Sequence, residues 1–252
     1  MKKLIFSLLY VFIPLFVLGQ QQNDIVFSQA NEAYNKGDYN KSVELYKSIE
    51  KTGNASVNLY FNLANSYYKL QKIAPSIYYY EKALQLAPGN KEVLANYTFA
   101  KNMRIDKIDP LPKGFLSRLY TKLVSMFKVD TWAWLSVVFI FLFAVCFVVF
   151  YRAVSSQQRK VFFAGWTFSI VLSAFCVLVA FLTVTNKKNN RYAIIFAKEI
   201  KIQSEPNSRS EKLYTLHEGT KVKLLEAVDD WRKVKLSDGK VGWLPQKEVK
   251  AL

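Results

Sequence analysis

Hydrophobic and polar positions along this chain fall into three regimes. Over residues 25–105 apolar residues recur at helical spacing among polar ones, which predicts a set of amphipathic helices. Further on they merge into uncharged runs: 21 residues between Asp130 and Arg152, and 26 between Lys160 and Lys187. As helices rising ~1.5 Å per residue, both runs are long enough for a hydrocarbon layer of ~30 Å. They predict spans over 131–151 and 162–185, joined by a loop at 152–160 with three positive and no negative charges. Trp132, Trp134 and Tyr151 sit at the expected interfaces. From residue 193 the pattern switches to short alternating runs, Lys221 to Leu225, Trp231 to Leu236 and Val241 to Leu244, parted by turn residues. Asp238–Gly239 between two such runs is a hairpin signal. About sixty residues with five short strands predict a small all-β barrel. The fold class is therefore a multidomain membrane protein: all-α helical repeats, a transmembrane α-hairpin and a small β barrel.

The first 19 residues form a separate apolar element. Lys2 and Lys3 precede an apolar run from Leu4 to Leu18, and Gly19 is followed by three glutamines. This fits an export signal over 1–19 cleaved after Gly19, with an uncleaved anchor as the alternative. No Cys follows the run, which argues against a lipid anchor.

A comparison of the chain with itself at a 34-residue offset places Phe27 on Phe61, Ala30 on Ala64, Asn31 on Asn65, Tyr34 on Tyr68, Ser42 on Ser76 and Tyr46 on Tyr80. Small residues stand where paired helices must approach, and Pro75 sits where a first helical turn tolerates proline. In period and pattern the segment 25–105 resembles tetratricopeptide repeats, two units and a capping helix from about Lys91. It departs from their usual pattern at Gln71, commonly glycine, and at Ser42 and Ser76, commonly alanine. The resemblance implies a peptide-binding groove lined by Phe27, Asn31, Tyr34, Phe61, Asn65 and Tyr68. There the asparagines would hydrogen-bond an extended backbone and the aromatics would act as anchors. The alternative is that Phe27 and Phe61 pack between helices and the asparagines are merely solvated.

Residues 106–130 read as a linker around Asp109–Pro110–Leu111–Pro112. It is followed by a stretch in which Leu116, Leu119, Leu123 and Phe127 share a helical spacing apart from Arg118, Lys122 and Lys128. That stretch is either a helix lying in the headgroup layer or an extension of the first span.

Residues 193–252 carry the order EPNS…GTKVKLLE…WRKVKLSDGKVGWLP, with Gly219, Trp231, Gly239, Gly242 and Trp243 at places that resemble bacterial SH3-like domains. The resemblance implies a binding module for protein partners or cell-wall peptides, with Trp231, Lys233, Lys235 and Trp243 as its candidate surface. The alternative is that both tryptophans are core or rim packing.

Composition narrows the chemistry. The chain has 252 residues, a net charge of +16, one His and two Cys. The charge excess lies mostly beside the apolar runs, where anionic headgroups attract Lys and Arg, and neither soluble segment reads as a nucleic-acid fold. Cys146 and Cys176 both fall inside the spans, so the polar segments hold no dithiol or disulfide. His217, read as a surface histidine before a turn, is the only histidine. No phosphate loop, dinucleotide motif, metal-ligand cluster or activated nucleophile is present, and Asp229 and Asp230 read as solvated turn residues. Neither cofactor nor enzymatic activity is expected.

The whole order, from signal and repeats through hairpin to SH3-like domain, is similar to the BatE proteins of the Bacteroides aerotolerance group. The resemblance implies von Willebrand-type membrane partners, a MoxR-type ATPase system and a role in aerotolerance or envelope stress. The expectation is a non-enzymatic scaffold in the inner membrane with both soluble domains facing the periplasm. A peptidoglycan-binding tether is the alternative.

Overall fold

The structure is a computed structural model that describes residues 22–252 other than Lys113. The export signal expected over 1–19 lies outside the described residues. The chain divides into two compact units, one formed by residues up to Asp109 together with Tyr192–Leu252, the other by Pro110–Arg191.

In the first unit, helix α1 (residues 22–35) ends at Gly37, whose φ of +82° reverses the chain at little steric cost. Asp38 then caps α2 (Tyr39–Lys51) by accepting from Lys41 N at 3.1 Å. Ser56 caps α3 (Val57–Lys69) through Leu59 N, and Asn90 caps α5 (Lys91–Asn102) through Glu92 N and Val93 N. Between α3 and α4 (Ile73–Leu86) the turn is made by Gln71 at φ +56°, so the residue in the usual glycine place adopts the glycine conformation. The small residues sit where helices meet. Ser42 Oγ lies 3.1 Å from Ser66 Oγ, and Ser76 Oγ donates to Ala64 O at 3.0 Å. The two helix pairs are tied by Glu50 of α2, which accepts from Lys82 and Tyr79 of α4, each at 2.7 Å.

The same unit contains a seven-stranded antiparallel sheet. Its strands are β1 (Tyr192–Ile195), β2 (Glu199–Gln203), β3 (Lys212–His217), β4 (Lys221–Val228), β5 (Trp231–Lys235), β6 (Val241–Pro245) and β7 (Val249–Ala251). They run in the order β3-β2-β6-β5-β4-β1-β7, with β3 and β7 as edges. Seven strands thus replace the five expected, and the sheet is not closed. The additional pairing comes from β7, which the 3₁₀ turn Gln246–Glu248 swings back onto β1. The core is Ala193, Ile195, Ile202, Leu216, Val222, Val234, Leu236 and Leu244.

The second unit holds α6 (Phe115–Met126), α7 (Val129–Arg152) and α8 (Ser156–Asn189). Both α7 and α8 are long and apolar enough to cross a membrane. They pack antiparallel along small residues of α8. A Cβ on Gly165 would lie 3.3 Å from Cys146 Sγ, and Ser173 Oγ donates to Ser136 O at 3.0 Å. Phe143, Phe147 and Phe163 surround Trp166 edge-on with ring centroids 5.3–6.2 Å apart.

Candidate interaction surfaces

The predicted groove residues stand on α1 and α3. Asn31 Oδ1 accepts from Tyr46 OH and from Asn62 Nδ2, the latter at 3.0 Å. One repeat later, Asn65 Oδ1 accepts from Tyr80 OH and from Asn96 Nδ2, the latter at 3.2 Å. The same three-residue network therefore occurs twice and links α1 to α3 and α3 to α5. Tyr46 and Tyr80 are fully buried, and burial pushes the Tyr80 hydroxyl far above the ordinary phenol range. Each stays a protonated donor and fixes the amide orientation. With Oδ1 used twice, the Nδ2 groups of Asn31 and Asn65 have no partner among the described residues, so both are available as donors.

Phe27 packs on Tyr46 (5.5 Å between centroids) and Phe61 on Tyr80 (6.1 Å). Both rings are half-buried and serve the helix packing as well as the surface. Tyr34 meets Tyr39 edge-on at 5.3 Å, and Tyr68 packs partly buried against the same core. Sequence reasoning missed Asn62 and Asn96. Their signal was available at the same offset, since Asn62 and Asn96 are themselves 34 residues apart; the pairing of each with the asparagine 31 residues before it is visible only in the fold.

On the sheet the four predicted residues separate. Trp243 is 8% exposed and packs into the fold rather than standing on its surface. Lys233 Nζ sits 5.6 Å over its ring and 3.1 Å from Glu226, whereas Lys235 is exposed. Trp231, half-buried, borders two clefts. One, of about 690 Å³, is lined by Asp230, Arg232, Pro245, Gln246 and Lys247 among others. The second, of about 520 Å³, is lined by Glu199, Lys201, Gln203 and Ser208.

The helices and the sheet share an interface built on two carboxylates. Asp106 Oδ2 accepts from His217 N (2.7 Å) and Thr220 Oγ1 (2.6 Å), and its Oδ1 lies 2.8 Å from His217 Nδ1. Burial would raise this carboxyl. The bonds from Thr220 and from the His217 ring and backbone outweigh it and hold the carboxyl below the usual aspartate range. His217 is thus an interface residue, not the surface histidine expected, and Asp106 belongs to this contact rather than to a free linker. Nearby, Glu81 accepts from Lys221 Nζ at 2.7 Å and from Tyr97 OH. Apolar contacts complete the surface. Phe196 stands edge-on to Tyr78 at 5.9 Å, and Ile194 is buried in the helical core. At Gly219 an added Cβ would come within 2.9 Å of Ile73 Cγ2 and Ile77 Cδ1.

Among the described residues no group of three or more His, Cys, Asp or Glu could hold a metal ion. These surfaces define a class of protein, a helical repeat fused to an SH3-type sheet, both of which are typically binding modules. The family models agree with that class. Residues 57–90 match the tetratricopeptide repeat and residues 199–250 match the bacterial SH3 domain. No curated protein matches the chain.

Proposed function

We propose that this chain is a non-enzymatic, membrane-anchored scaffold that captures an extended segment of a protein partner across α1, α3 and α5. The observation that carries the reading is the duplicated Asn–Tyr–Asn network, which aims unpaired amide donors of Asn31 and Asn65 outward at a regular interval. Carbonyl oxygens of an extended backbone are their natural complement. The half-buried rings of Phe27, Tyr34, Phe61 and Tyr68 supply flat apolar flanks. In this proposal α7 and α8 form a transmembrane hairpin. The Asp106–His217 contact supports one side of the membrane for both soluble parts, because an even number of crossings separates them. By resemblance to BatE proteins, that side is the periplasm, the partners are von Willebrand-type membrane proteins and a MoxR-type ATPase system, and the context is envelope stress.

The test uses the isosteric pair Asn31→Asp with Asn65→Asp. It keeps both Oδ1 acceptors for Tyr46, Tyr80, Asn62 and Asn96 but replaces both free donors with acceptors. Cross-linked capture of envelope proteins by the full chain should fall about tenfold. Unchanged capture with unchanged thermal unfolding would remove the groove from the proposal.

A second reading, a cell-wall tether, is favoured by the clefts beside Trp231, where Arg232 and Lys247 converge on an aromatic. It requires the full chain to co-sediment with purified peptidoglycan and Trp231→Ala to abolish this. A scaffold stays in the supernatant.

A further inference from the structure

The two apolar helices of the second unit are unequal. Near the start of α7, Trp132 is buried against Cys176 and Val179 of α8, so α7 begins opposite that turn. Yet α8 continues to Asn189, an overhang of about ten residues or ~15 Å. Along this overhang lies α6. Its Tyr120 OH is 3.5 Å from Leu182 O, its Leu123 joins the Trp132–Cys176–Val179 cluster, and its Val124 is buried. Going from Tyr120 to Leu123 on α6 thus descends α8 from Leu182 towards Val179. The two helices run antiparallel, and the first turns of α6 come level with the last turns of α8.

The outward side of this pair is both apolar and basic. Phe115, Leu116, Leu119 and Met126 are 54–77% exposed. Arg118 and Lys122, one turn apart on the flank of that apolar strip, are exposed and have no ion-pair partner among the described residues. The same holds for Lys187 and Lys188 at the end of α8. Only one acidic residue, Asp130, occurs from Gly114 to Arg191. A soluble partner would have to cover four large apolar side chains and also neutralise four cations spread along the same stretch of the pair. The headgroup boundary of an anionic bilayer does both, because acyl chains take the apolar strip and phosphates take the cations.

We propose that α6 and the last turns of α8 form a collar that binds anionic lipid headgroups and fixes the depth of the hairpin in the bilayer. The proposal rests on the membrane-spanning reading of α7 and α8. Arg118 and Lys122 are its lipid-binding side chains on α6, and Lys187 and Lys188 complete it from α8.

The experiment is backbone hydrogen exchange of the full chain in vesicles of phosphatidylcholine alone and of phosphatidylcholine with three parts in ten phosphatidylglycerol. Residues 115–126 should exchange about tenfold more slowly in the anionic vesicles, and the Arg118→Gln, Lys122→Gln double variant should lose that difference. Both side chains are exposed, so the variant keeps the contacts of Tyr120, Leu123 and Val124. Equal exchange of α6 in the two lipids, or a lipid difference that survives in the variant, overturns the collar while leaving the hairpin intact. Failure of the chain to float with vesicles after alkaline extraction overturns the hairpin and the collar together.

Discussion

The two repeats share an Asn–Tyr–Asn network and differ on their outer helices. Helix α2 buries three residues, Ser42, Tyr46 and Ile49, which is one stripe facing α1 and α3. Its counterpart α4 buries eight, including the uninterrupted run Ile77–Tyr78–Tyr79–Tyr80–Glu81. A helix buried on every side must be surrounded, and α4 is packed by α3, by α5 and by the sheet through Gly219, Phe196 and Lys221. Repetition therefore governs the face where α1, α3 and α5 meet, because the same Asn–Tyr–Asn network recurs in both repeats. Departure from repetition governs the opposite face, where α4 of the second repeat packs on the sheet.

The largest expected break in this asymmetry is Gly219→Val. The residue sits at φ +83°, and its Cβ would come within 2.9 Å of two α4 side chains. A β-branched side chain there should cost about 3 kcal/mol or more, and urea unfolding in detergent should split into separate helix and sheet transitions. A single unshifted transition would mean that the interface does not couple the two.

Asp106→Ala comes next, at about 2–4 kcal/mol, because it strands the His217 N–H and the Thr220 hydroxyl in a half-buried site. Its carboxyl is held low in the folded state, so at acid pH the unfolded chain binds the proton more tightly. The stabilisation is complete above the usual aspartate range and declines as pH falls below about 4. In Asp106→Asn that part of the acid slope should vanish from the pH dependence of the unfolding midpoint.

Smallest are Tyr46→Phe and Tyr80→Phe, about 1 kcal/mol each. Since both hydroxyls serve the same network, the two losses should match to within about 0.5 kcal/mol. A clearly larger loss at Tyr80 would show that the docked sheet stiffens the groove as well as the outer face.

Periodicity made the helical repeat legible, because Ala30, Ser42, Tyr46 and their counterparts each answer a packing need that recurs every 34 residues. The uncharged runs made α7 and α8 equally legible. Asn62 and Asn96 also recur at 34 residues, but only the fold shows that each donates to an asparagine of the preceding helix pair. Trp243 was legible as a motif residue of an SH3-like pattern but not as buried or exposed, which depends on how β5 and β6 pair. The Asp106–His217 contact spans 111 residues. Asp106 lies in a linker and His217 at the end of β3, so no local pattern could announce that the two meet. The position of α6 along α8 escaped for the same reason, since an amphipathic stretch before a span fits several placements.

The contact between Asp106 and His217 also has a consequence in time. A ribosome that has finished α5 must still add the roughly eighty residues of the second unit before the first strand of the sheet exists. At about 5–20 residues per second this takes several seconds to over ten. During that interval the α4 surface of Ile73, Ile77 and Tyr78 has no sheet to cover it, while α6, α7 and α8 are still being made. The helical repeat of every newly made molecule thus waits with an uncovered apolar face, and chaperones that hold such faces have their opportunity there.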